Sequence, residues 1–390
     1  MQAVMTGYVE RGEMPGLVAL VSRRGDVRVN VIGSQAAGTG APMRRDTIFR
    51  ISSMTKPITA VAVMMLVEEC LLRLDDPVDR LLPELANRQV LKRLEGPLDE
   101  TVPAHRAISV RDLLTFCWGF GQLMAPPAAY PILKVANEQQ IGMGPPNPAA
   151  TPAPDEWLRR LGALPLMYQP GERWLYNTGS DVLGVLIARA AGQPLDRFLA
   201  ERIFEPLGMK DTSFSVPASK LDRLATGYWT NFKTGAFEIY DAAADGQWSR
   251  PPAFPSGGAG LCSTADDYLA FSQMLLNQGK LGNERILSRP SVETMTSDQL
   301  TPEQRARGSW IPGEFDARGW GFGVSVITRR DQPAGTLGSY GWDGGLGTCW
   351  RADPREQLST ILLTQRVWAS PTPPPVARDF WTCAYQAIDD

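Results

Sequence analysis

The pattern of apolar and polar positions predicts strands near both ends of the chain and helices between them. Residues 16–22 form an almost continuous apolar run, and after a short turn residues 27–32 alternate between apolar and polar side chains, which predicts two paired strands. Near the other end, residues 346–351 and 357–364 flank a turn and predict a hairpin. Strands from both ends imply one sheet built from sequence-distant segments, with a helical lobe inserted between them.

The middle of the chain carries helical periodicity. Helices are predicted at 76–86, 109–116, 180–191 and 194–203, with a last amphipathic helix at 375–388. Ser109 and Asp112 have the spacing of a capping box, which supports the second of these helices. We expect a sheet domain of residues 1–65 and 215–390, a helical domain of residues 66–214, and an active site in the cleft between them.

One segment of the helical domain, residues 124–154, has no clear period. It is rich in proline, alanine and glycine and is too long for a simple connection between two elements. Two interpretations are open. The segment is either a surface insertion or a flap that shapes the mouth of the substrate site.

Bulk composition excludes several classes of protein. The 390 residues carry a net charge of −3, which gives no electrostatic case for nucleic acid or an anionic membrane surface as a partner. No apolar stretch is long enough to span a membrane, and the N-terminal residues lack the apolar core of a signal peptide. Five cysteines without C-x-x-C spacing argue against a zinc site and a disulfide framework and favour a cytoplasmic protein. Nothing in the sequence implies a metal or organic cofactor, or supports an oligomer.

The strongest candidate chemistry is the pair Ser53 and Lys56, one helical turn apart at the start of a mostly apolar run of residues 57–67. Residues at i and i+3 share one face of a helix, so the lysine amine can sit beside the serine hydroxyl. A lysine in a low-dielectric site has a lowered pKa and can accept the serine proton. The pair therefore predicts a serine nucleophile for acyl transfer.

Other hydrolase chemistries have little support. The one histidine, His105, lies in a polar segment ahead of a helix and is interpreted as a loop residue, so a Ser-His-Asp triad is not expected. The sequence has no G-x-S-x-G motif, and a metal hydrolase needs more than one histidine. The base that activates Ser53 must then be a lysine or a tyrosine.

Six blocks of the sequence carry a family resemblance: 47–57, 82–85, 170–176, 183–184, 206–209 and 257–264. In their order, and over about residues 16 to 365, they resemble the serine β-lactamase and penicillin-binding-protein superfamily. The most similar branch is the class C-like one that includes the family VIII carboxylesterases. This resemblance implies a β-lactamase/transpeptidase-like α/β fold, with an antiparallel sheet flanked by helices and an inserted, mainly helical lobe.

The resemblance also implies that Tyr176 is the tyrosine of a Y-x-N/S motif, with Thr178 at its third position. A phenol near a lysine ammonium has a lowered pKa and can act as a general base toward Ser53. Thr178 is expected to contact substrate, although threonine is a shorter hydrogen-bonding side chain than asparagine.

The family's K-T-G-like triplet has two candidates. Lys233 begins a literal K-T-G, but it lies in a predicted turn between short strands. Trp342 begins W-D-G directly before the C-terminal hairpin, where the family carries this triplet, and we assign the triplet there. Gly344 would let substrate approach the strand edge closely, and the N–H groups of Gly345 and Ser53 would form the oxyanion hole.

Tryptophan in place of lysine changes the expected substrate. A cation would pair with the carboxylate of a β-lactam or a peptide terminus, whereas Trp342, with Trp118 and Tyr340, offers an apolar wall that favours a neutral ester. Phe116, where relatives commonly have histidine, is interpreted as packing. The sequence thus predicts a serine carboxylesterase for small or medium acyl esters. The alternatives are a β-lactamase or D-amino-acid peptidase on the same residues, an acyltransferase, and a non-catalytic binding protein.

Overall fold

The computed structural model describes residues 1–38, 40–126, 128–231, 233–309 and 311–390. Its strands are β1 (Gly16–Arg23), β2 (Asp26–Gly33), β3 (Phe49–Arg50), β4 (Gln89–Leu91), β5 (Thr101–Pro103), β6 (Gly227–Thr230), β7 (Phe237–Asp241), β8 (Cys262–Ser263), β9 (Lys280–Leu281), β10 (Glu284–Arg285), β11 (Arg318–Trp320), β12 (Ser325–Ile327), β13 (Tyr340–Gly344), β14 (Thr348–Asp353) and β15 (Leu358–Thr364). Its α-helices are α1 (Gln2–Glu10), α2 (Thr55–Glu68), α3 (Val110–Leu114), α4 (Pro131–Glu138), α5 (Pro154–Gly162), α6 (Thr178–Ala191), α7 (Leu195–Leu199), α8 (Glu205–Leu207), α9 (Ala265–Leu276), α10 (Arg289–Met295), α11 (Pro302–Ala306) and α12 (Pro375–Gln386). Among these described helices, none has the length and apolar content needed to cross a bilayer.

A sheet built from both ends of the chain forms the centre of the fold. Its described strands follow one another in the order β11-β12-β13-β14-β15-β1-β2, and each neighbouring pair is antiparallel. Strand β1 pairs with β15, from Leu17 opposite Thr364 to Arg23 opposite Leu358. The prediction of an antiparallel sheet assembled from sequence-distant segments is confirmed. The domain boundaries after residues 65 and 214 stay a prediction.

Helices cover both faces of this sheet. On one face, α1 and α12 pack against strand side chains such as Leu17 and Leu362. On the other face, Val18 and Leu20 join the main core, to which α2, α6 and α9 contribute. Side chains along a strand alternate between its two faces. Because both faces are buried here, β1 shows the continuous apolar run from which it was predicted.

The prediction of a helix at 76–86 is wrong. The segment forms two short 3-10 turns, Val78–Arg80 and Pro83–Leu85. Pro83 cannot donate a helical hydrogen bond, and it disfavours helical backbone angles at the residue before it. Leu82 accordingly has a φ of −125° and a ψ of 67°, so the chain leaves the helical path between the two turns.

The other predicted helices are present with adjusted bounds. Helices α6 and α12 agree with the predictions to within two residues at each end. The helix predicted at 109–116 is shorter, but its capping box between Ser109 and Asp112 is confirmed. The helix predicted at 194–203 begins as α7 and widens into a π-helical turn over Ala200–Phe204.

Three strands of the sheet had no sequence prediction. Strands β11 and β12 have three residues each, too few to show an alternating pattern, and β13 was assigned only as the triplet before the hairpin. Strand β12 pairs with β13 only at Gly341 and Tyr340. In the described part of the chain, the edge of β13 from Trp342 to Gly344 therefore has no strand on its β12 side.

The segment 124–154 combines a buried part with a part that borders a cavity. Helix α4 buries Ile132, Leu133 and Ala136 in the main core. Met124 and residues 144–146 line the cavity that contains Ser53. These contacts favour the interpretation of the segment as a wall of the substrate site.

Candidate active site

A strained turn presents Ser53. It lies in a 3-10 turn, Ser52–Met54, that leads directly into α2. Ser52 has a φ of 45°, in the left-handed region that residues other than glycine rarely adopt. The backbone before the turn is fixed to the sheet, because the Thr348 hydroxyl donates to the Ile51 carbonyl oxygen at 3.1 Å. The turn places Ser53 on the lining of a cavity.

Lys56 is fully buried beside this serine, as the spacing of the two residues predicted. Its Nζ lies 2.9 Å from Ser53 Oγ and donates to Asn177 Oδ1 at 2.8 Å and to the Gly258 carbonyl oxygen at 2.7 Å. Burial lowers the pKa of this amine to about 7, while the negative charge of Asp181 acts in the opposite direction. A lysine with this pKa can exchange a proton near neutral pH.

The partners of Lys56 decide where the lone pair of the neutral amine points. The amide oxygen of Asn177 and the carbonyl oxygen of Gly258 only accept hydrogen bonds, so they hold the two hydrogens of a neutral amine. The nitrogen lone pair is then left facing Ser53 Oγ. In this form Lys56 is placed to accept the serine proton.

Asn177, to which the sequence analysis gave no role, occupies a strained position between Tyr176 and α6. Its φ of 84° and ψ of −72°, with the Thr178 N–H donating to the Tyr176 carbonyl at 3.3 Å, define a rare, strained γ-turn. Thr178, the residue predicted to bind substrate, is buried at the first position of the helix and does not line the described cavity. Because of this turn, the side chain that reaches Lys56 is that of Asn177, at the second position of the motif, and not that of Thr178 at the third position.

Asp181 supports the same lysine through one intervening residue. It lies one helical turn after Asn177, and its Oδ1 accepts from the Ser256 hydroxyl at 2.6 Å and from the Gly258 N–H at 3.0 Å. The carbonyl of Gly258 in turn accepts from Lys56. Burial raises the pKa of the Asp181 carboxyl, and its hydrogen bonds and the Lys56 charge lower it. The sequence offered no signal for this residue beyond its place on the helix after the tyrosine motif.

The hydroxyl of Tyr176 lies between Trp342 and Ser53. The indole N–H of Trp342 donates to Tyr176 Oη at 2.6 Å, and the nearby Ser53 hydroxyl also acts to lower the pKa of the phenol. Lys56 Nζ lies over the face of the ring, 4.6 Å from its centroid. Burial raises the pKa of Tyr176 well above its ordinary value, and its hydrogen bonds offset only part of that effect. The prediction that a nearby ammonium lowers this pKa is therefore wrong, and the phenol stays protonated at neutral pH.

An aromatic cluster holds Tyr176 and Trp342 in place. The ring centroid of Trp320 lies 4.6 Å from that of Trp342, and the Phe116 centroid lies 5.6 Å from that of Tyr176, both in edge-on geometry. Trp174 stacks on Tyr176 at 5.6 Å. Phe116 is completely buried, in keeping with its interpretation as a packing residue. The hydrogen bond between tryptophan and tyrosine is thus fixed by packing on several sides.

The two N–H groups predicted to form an oxyanion hole belong to residues that border the cavity. Ser53 and Gly345 both line it, and no acceptor for the Gly345 N–H exists among the described residues. A Cβ built on Gly345 would meet no atom within 4 Å, so a substrate can approach this backbone closely.

Gly344 was predicted to let the substrate approach the strand edge, but the structure gives another reason for a glycine at this position. A Cβ there would lie 2.2 Å from both the Ile51 carbonyl oxygen and Thr348 Oγ1. The glycine therefore admits the segment that carries Ser53, not the substrate. It positions the nucleophile indirectly, by letting that segment pack on β13.

Two aromatic residues predicted to contact substrate lie elsewhere. Trp118 is completely buried in the main core, and Tyr340 packs edge-on against Trp350 at 5.8 Å. Neither is among the described residues that line the cavity. Tyr340 lies where β12 covers β13, whereas Trp342 lies at the open edge. We therefore remove Trp118 and Tyr340 from the substrate-binding set.

The cavity at Ser53 has a volume of about 290 Å³ and a mainly apolar lining, enough for a small or medium ester. Lys233 is exposed in the turn between β6 and β7 and is not among the described lining residues. The charged lining residues are Glu314, Arg318, Asp343 and Arg351. In the residues that the structure describes, no three histidine, cysteine or carboxylate side chains converge as a metal site would require.

A serine hydrogen-bonded to a buried lysine, in a cavity that a tyrosine also lines, lies beside a strand edge whose Gly345 N–H has no acceptor among the described residues. This arrangement defines the site of a serine hydrolase. The chain belongs to the β-lactamase family, whose family model, described as "Beta-lactamase", matches residues 1–376. The resemblance found in the sequence motifs is confirmed.

Relatives and solved structures match the chain over nearly its whole length. Protein Rv1367c of Mycobacterium tuberculosis is 40% identical over 371 residues, which cover 93% of this chain and 89% of the relative. Esterase EstB of Burkholderia gladioli is 32% identical over 391 residues, which cover 94% and 90%. The structure of EstCE1, described as a hydrolase with promiscuous acyltransferase activity, has a TM-score of 0.79 at 27% identity and covers 98% of this chain and 97% of its own. The predicted fold class is confirmed.

Proposed function

We propose that this protein is a serine carboxylesterase that acts through an acyl-enzyme on short- to medium-chain esters. One observation carries the proposal: Lys56 Nζ lies 2.9 Å from Ser53 Oγ, the Trp342 indole donates to Tyr176 Oη, and Ser53 and Tyr176 line the same mainly apolar cavity. An esterase needs a nucleophile, a base, an acid for the leaving group and oxyanion donors, and each has a candidate group here.

Acylation begins when Ser53 Oγ attacks the ester carbonyl carbon and its proton passes to the neutral Lys56 amine. The N–H groups of Ser53 and Gly345 donate to the oxyanion of the tetrahedral intermediate. Tyr176 donates its phenol hydrogen to the leaving alkoxide oxygen, and the proton held by Lys56 restores the phenol. The alcohol leaves, and the acyl group stays on Ser53 Oγ.

Deacylation repeats these steps with water as the nucleophile. Lys56, neutral again, takes a proton from the water that attacks the acyl carbonyl. It passes this proton to Ser53 Oγ, which leaves as a hydroxyl when the tetrahedral intermediate collapses. This assignment makes Lys56 the base and Tyr176 the acid, because the pKa of the amine is about 7 while that of the phenol is raised.

The names of two relatives support ester chemistry over β-lactam hydrolysis. EstB is named an esterase, and another relative is named a lovastatin esterase. Trp342 stands where a β-lactamase-type site would carry a cation, and Lys233 lies outside the described lining. A β-lactamase or D-amino-acid peptidase activity is therefore the weaker candidate.

Hydrolysis of p-nitrophenyl butyrate and of a chromogenic cephalosporin, measured side by side, tests this proposal. We expect the ester to be cleaved, the cephalosporin to be cleaved little, and both activities to vanish in Ser53→Ala. Ser219→Ala, which alters an exposed serine in a 3-10 turn, is the matched control and should behave as wild type. Ester hydrolysis that survives in Ser53→Ala would refute the mechanism, and dominant cephalosporin cleavage would replace the esterase assignment.

Acyl transfer to an alcohol is a second candidate, favoured by the acyltransferase activity named for EstCE1. The same acyl-enzyme would react with an alcohol that binds in the cavity instead of water. Adding a primary alcohol to the p-nitrophenyl butyrate assay separates the two outcomes. A new butyrate ester in the products would indicate transfer, and butyric acid alone would indicate hydrolysis.

A further inference from the structure

Two arginines line the cavity, and they differ in their partners. Arg351 donates to both carboxylate oxygens of Asp343, at 2.5 and 2.7 Å, so this pair is neutral overall. Arg318 is partly buried in the same lining, but among the described residues its guanidinium makes no hydrogen bond or ion pair. Burial lowers the pKa of Arg318, which shows that the surroundings do not fully compensate its charge.

Three carboxylates, those of Asp343, Glu314 and Asp331, lie near enough to raise the pKa of Arg318, but among the described residues none of them lies within 4.0 Å of its guanidinium nitrogens. Asp343 is held by Arg351 in the bidentate pair. Glu314 accepts from the Ser309 hydroxyl at 2.9 Å and makes no ion pair within 4.0 Å in the described part of the chain. A guanidinium presents several N–H donors in one plane, and a carboxylate is the partner that matches them. Among the described residues, Arg318 is therefore a cation in the cavity lining whose N–H donors have no hydrogen-bond partner.

The place of Arg318 relative to the reacting groups follows from the sheet. It lies two residues before Trp320 on β11, and the ring of Trp320 packs on Trp342. Residues two apart on a strand lie about 7 Å apart on the same face. Ser53, Trp342 and Arg318 all line the same cavity, so a substrate with its ester at Ser53 can extend along Trp342 toward Arg318.

We propose that Arg318 binds a carboxylate at the end of the substrate remote from the scissile ester, so that the preferred substrates are half-esters of dicarboxylic acids. This inference rests on the proposed esterase function and specifies its substrate class. The apolar wall at Trp342 accepts the methylene chain, and the cation lies beyond it. The site thus separates the apolar surface next to the ester from the anion-binding group.

Two esters of one shape test the proposal: p-nitrophenyl hydrogen adipate, which ends in a carboxylate, and p-nitrophenyl methyl adipate, its neutral analogue. For the wild type we expect kcat/KM for the half-ester to exceed that for the methyl ester. Arg318→Gln should lower the ratio of the two kcat/KM values at least tenfold, mainly through a higher KM for the half-ester. Arg318→Lys should keep part of the ratio, because it keeps the charge but loses the bidentate geometry. Arg329→Gln removes an exposed positive charge nearby in sequence and should leave the ratio unchanged.

The possible results separate this proposal from the esterase proposal. Hydrolysis of the methyl ester that depends on Ser53, with no preference for the half-ester or with a ratio unaffected by Arg318→Gln, would overturn the inference and leave the esterase function standing. If neither ester is cleaved, the esterase proposal fails. The role of Arg318 is then decided by the affinity of Ser53→Ala for methyl hydrogen adipate, measured through the change in tryptophan fluorescence. Binding that Arg318→Gln weakens at least tenfold in that background supports the anion site, and equal binding overturns it. Thermal unfolding of each variant shows whether it is folded.

Discussion

Replacing Asp181 by asparagine removes one buried negative charge near Lys56 without removing the hydrogen-bond acceptor. The amide oxygen of asparagine can still accept from the Ser256 hydroxyl and the Gly258 N–H. The Gly258 carbonyl should then stay in place to accept from Lys56. The substitution therefore tests electrostatics with little change in geometry.

The size of the effect follows from the path between the two charges. Gly258 alone separates them, because its N–H donates to Asp181 and its carbonyl oxygen accepts from Lys56. At an effective dielectric constant of about 20, two unit charges about 6 Å apart attract by about 3 kcal/mol, which corresponds to about 2 pKa units. Removing the carboxylate favours the neutral amine, so the pKa of Lys56 should fall from about 7 by about 1 to 2 units.

The assay is the pH dependence of kcat/KM for p-nitrophenyl butyrate, followed at the isosbestic wavelength of p-nitrophenol. In the wild type, kcat/KM should rise with pH through an apparent pKa near 7, because neutral Lys56 is the active form. In Asp181→Asn this rise should move to lower pH. Asp196→Asn, which removes an exposed carboxylate on α7, should leave the profile in place. A profile unchanged in Asp181→Asn, or moved to higher pH, would refute Lys56 as the base or Asp181 as its electrostatic partner.

Three further predictions address single positions of the site. Trp342→Phe keeps the ring but removes the N–H donor to Tyr176, so kcat for p-nitrophenyl butyrate should fall about 10- to 100-fold with little change in KM; an unchanged kcat would contradict a role for this hydrogen bond. Lys56→Met should abolish activity. From pH 7 to 10 the wild type should gain about 1.4 kcal/mol in the free energy of unfolding per pH unit, because Lys56 is neutral in the folded state and still protonated in the unfolded state; Lys56→Met lacks this gain, so its unfolding free energy in urea should fall relative to the wild type by that amount. A difference that does not change with pH would contradict the lowered pKa of Lys56. Gly344→Ala should destabilise the fold by several kcal/mol, since its Cβ would overlap two oxygens, whereas Gly345→Ala should unfold at nearly the wild-type temperature; equal melting temperatures would contradict this.

The nucleophile and its lysine could be predicted because their geometry is local. Ser53 and Lys56 are three residues apart on one helical turn, and that spacing alone brings the amine to the hydroxyl. The sheet could be predicted in the same way from β1, β2, β14 and β15, which show strong apolar patterns. Strands β11 and β12 could not, because three residues are too few to carry a period.

The remaining partners of Lys56 could not be predicted because they depend on a long-range meeting of backbone groups. Asn177 reaches the lysine only through a strained γ-turn, which the motif's usual spacing conceals. Gly258 contributes a carbonyl oxygen, a group that every residue has and no side-chain motif identifies. The pKa of Tyr176 was predicted in the wrong direction because the sequence showed a nearby ammonium and not the complete burial of the phenol.

Tryptophan at position 342 changes the chemistry of the site as well as its substrate. A lysine there would bring a second positive charge to the tyrosine and favour its ionised form. The indole of Trp342 donates a hydrogen bond to Tyr176 without adding charge, and because it can only donate, the phenol hydrogen must point toward another acceptor. The acceptor that we propose is Ser53 Oγ at rest and the leaving oxygen during the reaction. The proposed catalytic roles follow from this direction of donation: Tyr176 gives a proton and Lys56 takes one. Because Trp342 carries no charge, the cation that binds the carboxylate of the proposed substrate is Arg318, farther from the reacting groups.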